Sequence, residues 1–103
     1  MGGCSKYSDE VLENLNKLKK TKACSGCDLT GIELPGFDLK NADLTGANLT
    51  GANLARSDLT EANLSDANLS DANLLGVNLT NAKLINTNLS GAKLSYSNIN
   101  GAD

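Results

Sequence analysis

From Asp28 onward the chain repeats every five residues. Leu stands at Leu29, Leu34, Leu39, Leu44, Leu49, Leu54, Leu59, Leu64, Leu69, Leu74, Leu79, Leu84, Leu89 and Leu94, and Ile99 completes the series. Two residues before each sits a small or apolar side chain. It is Ala at Ala42, Ala47, Ala52, Ala62, Ala67, Ala72, Ala82 and Ala92, and Cys27, Ile32, Phe37, Ser57, Val77, Thr87 or Ser97 elsewhere. A period of five fits neither the 3.6 of an α-helix nor the 2 of a strand, so neither element keeps the Leu column on one face. A chain that turns a corner after every five-residue cell does, with Leu and the small residue inward and the other three positions outward. The outward positions agree. Asn or Asp mostly precedes Leu, Thr or Ser often follows it, and Gly, Asn or Asp is often next, all residues suited to turns.

The chain before this repeat has a different period. Val11, Leu15 and Leu18, with Leu12 beside them, predict an amphipathic helix from about Ser8 to Thr21. Ser8 is the expected N-cap; Asp9, Glu10 and Glu13 near the start and Lys17, Lys19 and Lys20 near the end suit the helix dipole. The apolar face of this helix is expected to cover the open bottom of the first coil. A stack of coils exposes apolar side chains and unpaired backbone at any end that is not covered. The last coil presents Leu84, Leu89, Leu94 and Ile99, with Tyr96 nearby, and no second helix follows. Three outcomes are expected for that end: an end-to-end homodimer, a longer natural protein, or a cover made by Tyr96 and the last residues.

Cells such as Ala47-Asn48-Leu49-Thr50-Gly51 and Ala62-Asn63-Leu64-Ser65-Asp66 resemble the A-[DN]-L-x-x unit of the pentapeptide-repeat family. The resemblance implies an all-β solenoid, a right-handed quadrilateral β-helix with four cells per coil, a twenty-residue stacking period and about four coils, capped by an N-terminal helix. It divides the chain into a flexible N-terminus (1–7), a capping helix and junction (8–23) and the β-helix (24–103). At a coil spacing of about 4.8 Å the repeat stands about 19 Å tall. Twenty-residue stacking lines up Asp28, Asn48, Asn68 and Asn88 on one side, and Asp38 and Asp58 below Asn78 and Asn98 on another. Glu61, Asp66 and Asp71 fall on successive corners and encircle the stack, so no continuous acidic stripe is expected.

Composition narrows the class. Of 103 residues only Tyr7, Phe37 and Tyr96 are aromatic, and Trp and His are absent, so an aromatic core is excluded. Formal charge is −3; residues 1–27 carry five Lys against three acids (+2), and residues 28–103 four basic against nine acidic side chains (−5). No stretch approaches the roughly 18 to 20 apolar residues that span a bilayer, and no membrane partner is expected. The first residues lack the apolar run of a signal peptide, which leaves the compartment open.

Chemistry is sparse. Cys24-Ser25-Gly26-Cys27 is a CxxC in register with the inward positions, and it reads as a structural disulfide, as two buried thiols, or as a redox pair. With no His and only Cys4 as a third thiol, four zinc ligands cannot be assembled without acids or another subunit, so no metal is expected. The Lys-rich helix followed by Ala-Cys-Ser-Gly-Cys-Asp-Leu is similar to short pentapeptide-repeat proteins of cyanobacteria and the thylakoid lumen. That similarity implies a cysteine pair tying the cap to the first coil, and favours periplasm or lumen if the pair is oxidised. The Asn-Leu-Thr/Ser triplets match the glycosylation sequon only as a by-product of the repeat, and Lys6 departs from the myristoylation pattern.

With no nucleophile elbow, phosphate loop or ligand cluster, neither catalysis nor a cofactor is expected. The leading reading is a non-enzymatic structural or protein-binding module. A first alternative is a duplex mimic, since the resemblance extends to quinolone-resistance proteins that bind DNA gyrase in place of DNA; direct nucleic-acid binding is not expected. A second is a redox-sensitive lumenal or periplasmic binding module. The candidate sites are therefore Cys24 and Cys27 at one end and Leu84, Leu89, Leu94, Tyr96 and Ile99 at the other.

Overall fold

A computed structural model describes residues 7–103. The expected flexible N-terminus, apart from Tyr7, and Cys4 lie outside the described residues. The first element is α1 (Asp9–Thr21). Ser8, in an extended conformation, accepts the Val11 amide on its side-chain oxygen at 3.2 Å, and this satisfies one of the donors that a helix start leaves unpaired. The helix stops at Lys22, which adopts the left-handed conformation (φ 59°) and returns its amide to the Leu18 carbonyl. Val11, Leu15 and Leu18 are buried in the same apolar cluster as Leu29, Ile32 and Leu34, so the helix covers the first coil. Burying three aliphatic side chains corresponds to about 5–9 kcal/mol of gross transfer free energy, an upper bound. Leu12 stays outside at 38% exposure.

Beyond α1 every pairing is a single parallel bridge between residues twenty apart, from Ala23 with Asp43 to Asn78 with Asn98. No continuous strand forms among the described residues, because a turn follows every fifth residue and leaves one bridging position per side. The hydrogen bonds repeat with the cells. Leu29 donates to the Asn48 carbonyl of the next coil, Asn48 donates back to Cys27, and Gly31 donates to Thr50. Within a cell the amide three residues after Leu closes a turn on the Leu carbonyl, as Ala47 does on Leu44 at 3.0 Å. The third residue of each turn has positive φ, as a type II turn requires. Gly fills that corner at positions such as Gly46 and Gly51, whereas Arg56, Glu61 and Tyr96 adopt it with ordinary side chains.

The inward positions form one core. From Leu29 to Leu79 the Leu column is buried, and the Ala residues from Ala42 to Ala82 complete the lining. Hydroxyls in the small-residue position are satisfied by one recurring contact: Ser57 donates to the Leu34 carbonyl, Thr87 to Leu64 and Ser97 to Leu74. Ser57 also accepts the Phe37 amide at 3.2 Å, and so stands in for the direct bond that closes the other turns. No buried side-chain polar atom among the described residues lacks a partner.

Candidate functional site

At the cap junction, Cys24 occupies a Leu position and Cys27 a small-residue position of the repeat, and both are buried. Their sulfurs are 2.03 Å apart. Cys24 Sγ lies 3.5 Å from the Asn14 carbonyl of the helix; a bonded sulfur has no proton to donate, so this is a packing contact. The Asn14 side-chain amide donates to the Asp28 carbonyl at 3.1 Å, which links α1 to the first coil a second time. Tyr7 adds a third link by accepting the Glu33 amide on its hydroxyl, and the Lys22 ammonium sits 5.5 Å from the Phe37 ring centre. Among the described residues no group of three metal-ligating side chains gathers here or elsewhere, and no cavity opens.

The other end is different. Leu84, Leu89 and Leu94 are partly buried against the core, and Ile99 is 59% exposed. Tyr96 is 93% exposed at a positive-φ corner, so it projects away from the coil and does not fold over the end. Main-chain amides are also open there. Leu84 reaches the Asp103 carbonyl, but Leu89, Leu94 and Ile99 donate to no main-chain carbonyl among the described residues.

On the walls between the two ends the polar side chains are occupied. Asp28 accepts both the amide and the hydroxyl of Thr30 on one carboxylate oxygen, at 3.1 and 2.7 Å. The same bond to the amide two residues on recurs at every Asn or Asp that precedes Leu or Ile in the repeat, for example Asn53 to Ala55, Asn73 to Leu75 and Asn98 to Asn100. These are Asx turns, in which a short side chain substitutes for backbone. The Asp28 and Asp58 carboxyls are held below the usual carboxylate range, chiefly by the Thr30 and Thr60 hydroxyls and then by the amides of the same residues. Lys40, 4.0 Å from Asp58, adds a smaller electrostatic contribution between exposed groups.

The sequence pattern marked Asn and Asp as outward-facing but did not assign them this work. The signal was present, since Asx followed two residues later by Thr or Ser is an Asx-turn arrangement.

Residues 24–60, 38–76 and 72–103 match the family described as pentapeptide repeats, in 8 copies. The chain belongs to this family. Among solved structures it is similar to a pentapeptide repeat protein of the cyanobacterium Cyanothece 51142, at 31% identity over 89% of this chain and 93% of that one, with a TM-score of 0.44. It is similar to another from Nostoc Pcc 7120, at 37% identity over 80% and 74%, with a TM-score of 0.49. A third, from the Arabidopsis thaliana thylakoid lumen, is 34% identical over 98% and 72%, with a TM-score of 0.37. No curated protein matches. The family assignment rests on the repeat match, which runs through residues 24–103.

Proposed function

We propose that this chain is a right-handed quadrilateral β-helix over residues 24–103, capped by the helix and junction of residues 8–23, and that it works as a non-enzymatic protein-binding module. The carrying observation is the contrast between occupied walls and a last coil that is unoccupied among the described residues. The Asn and Asp side chains of the walls are turned back onto their own backbone, whereas the last coil offers open amides beside Leu89, Leu94 and Ile99. Such a surface accepts an extended polypeptide that supplies carbonyls to the open amides and apolar side chains to the exposed core, the logic of strand addition. A second copy's last coil has both, so an end-to-end homodimer is the contact proposed here.

Sedimentation of the full chain tests it: Ile99→Asp is expected to abolish end-to-end association while leaving the fold intact. Association unchanged by that substitution overturns the end-on contact.

The paired Cys24 and Cys27 belong to the same reading as a structural tie between cap and first coil. With a relative from the thylakoid lumen, they favour an oxidising compartment, periplasm or lumen. Duplex mimicry is the less favoured reading, because Asp38 and Asp58 stack only as far as Asn78 and Asn98 and the acidic ladder ends there. Inhibition of gyrase supercoiling by micromolar protein would reverse that preference.

A further inference from the structure

One side of the stack departs from the repeat in a paired way. Of the fifteen residues that precede the repeating Leu or Ile, from Asp28 to Asn98, only Glu33, Lys83 and Lys93 are neither Asn nor Asp. Two of these three share a side, where Glu33 bridges to Asn53, Asn53 to Asn73 and Asn73 to Lys93. Glu33 is at the bottom of that ladder, Lys93 at the top, and both are exposed. Glu33 accepts the Asn53 side-chain amide at 3.1 Å, and neither charge forms an ion pair among the described residues. Opposite charges three coils apart on one ladder are too distant to pair with each other, at about 14 Å.

We infer that this side is a self-complementary docking surface for a second copy of the chain, packed side by side and upside down. The required axis lies in the contact plane, perpendicular to the stack and midway between Asn53 and Asn73. Rotation about it brings Glu33 to the partner's Lys93 and Lys93 to the partner's Glu33, while Asn53 faces Asn73. Along the neighbouring corner the same rotation sets the fully projecting Tyr96 against Gly36, around which no atom lies within 4 Å of the missing Cβ. It also sets the exposed Arg56 against Gly76, large against small.

The alternatives are electrostatically worse. Packing the same sides with both stacks upright juxtaposes Glu33 with Glu33 and Lys93 with Lys93. The side that carries Lys83 can pair it with Asp43 when inverted, but its corners then oppose Glu61 to Glu61 and Asp66 to Asp66. Like charges set directly opposite suppress a docking geometry. Four coils at about 4.8 Å and a five-residue side of at most about 16 Å give no more than about 300 Å² per copy, at the bottom of the weak, transient class of interfaces. Association is therefore expected only at high concentration, and it is expected to weaken with salt.

Sedimentation equilibrium of the full chain, from about 10 μM to 1 mM and at about 20 mM and 500 mM salt, tests the surface. Lys93→Glu places Glu opposite Glu33 at both ends of the contact and is expected to weaken the side-by-side dimer about tenfold or more. Adding Glu33→Lys reverses the polarity of both pairs and is expected to restore it to within about threefold. Lys83→Glu and Ile99→Asp are expected to leave it unchanged, and Ile99→Asp separates it from the end-on contact. Concentration-dependent amide shifts in NMR spectra provide a second measurement, expected at Asn53 and Asn73 and not at Asn63. A salt-independent or absent dimer, no loss in Lys93→Glu, or no recovery in the double variant, with melting unchanged, overturns the proposal.

Discussion

At the N-terminal end of the stack Leu18, Cys24 and Leu29 are wholly buried, whereas at the C-terminal end Ile99 is 59% exposed and Leu84, Leu89 and Leu94 are only partly covered. The same inward positions and the same cell occur at both ends. What differs is the neighbour: α1 lies against the first coil, and among the described residues no element lies against the last. The cap adds apolar contact through Val11, Leu15 and Leu18, and it adds polar closure through Asn14 and Tyr7. A five-residue cell is therefore not a unit of constant stability, because its Leu is worth what the coils on either side bury.

Substitution of Leu by Ala along the column is expected to give the largest effects. Leu54→Ala, between two complete coils, is expected to cost about 3–4 kcal/mol in denaturant unfolding, and Leu94→Ala less than half of that. Equal losses would mean that the ends are equivalent. Cys24→Ser with Cys27→Ser is expected next. Closing so short a loop, at a sequence separation of 3, contributes about 2 kcal/mol in the chain-entropy description. Reductant is expected to lower the melting temperature of the natural protein and leave the double variant unaffected.

Acid provides a smaller effect. The Asp28 and Asp58 carboxyls are held below the usual carboxylate range in the folded chain, so the unfolded chain takes up protons first as pH falls. Their contribution is present above the unfolded carboxylate pKa, near 4, and is lost as pH falls through their folded values. Asp28→Asn keeps the oxygen that Thr30 uses, so little loss near pH 7 and a flatter melting curve below pH 4 are expected. The smallest effect concerns the corners. Tyr96→Gly relieves a left-handed residue in an exposed turn and is expected to stabilise by about 0.5–1 kcal/mol. A loss of stability would mean that the ring makes a contact in solution.

Much of this was legible in the residues. The Leu column, the Ala column, the Ser8 cap and the apolar face of α1 follow from period and chemistry, because burial depends on which face a residue occupies. The roles of the outward residues were not legible in the same way. Period alone places Asn53 outside but does not say that its oxygen closes on the Ala55 amide, and it marks Ser57 as small without predicting its bond to Leu34. Positive φ at Gly46 was foreseeable from residue type, but at Arg56 and Glu61 the side chain gives no such signal. Whether Tyr96 covered the end depended on the direction of one corner, which no periodicity encodes.

The Asx turns have a consequence for how such a chain can diversify. Each Asn or Asp before Leu is spent on local closure, so the repeat is chemically mute where it is most regular. Glu33, Lys83 and Lys93 give up that closure and release a long charged side chain in exchange. In a scaffold of this kind the message is carried by the misprints, and two neighbouring proteins with the same coils would differ in partner according to where their misprints fall.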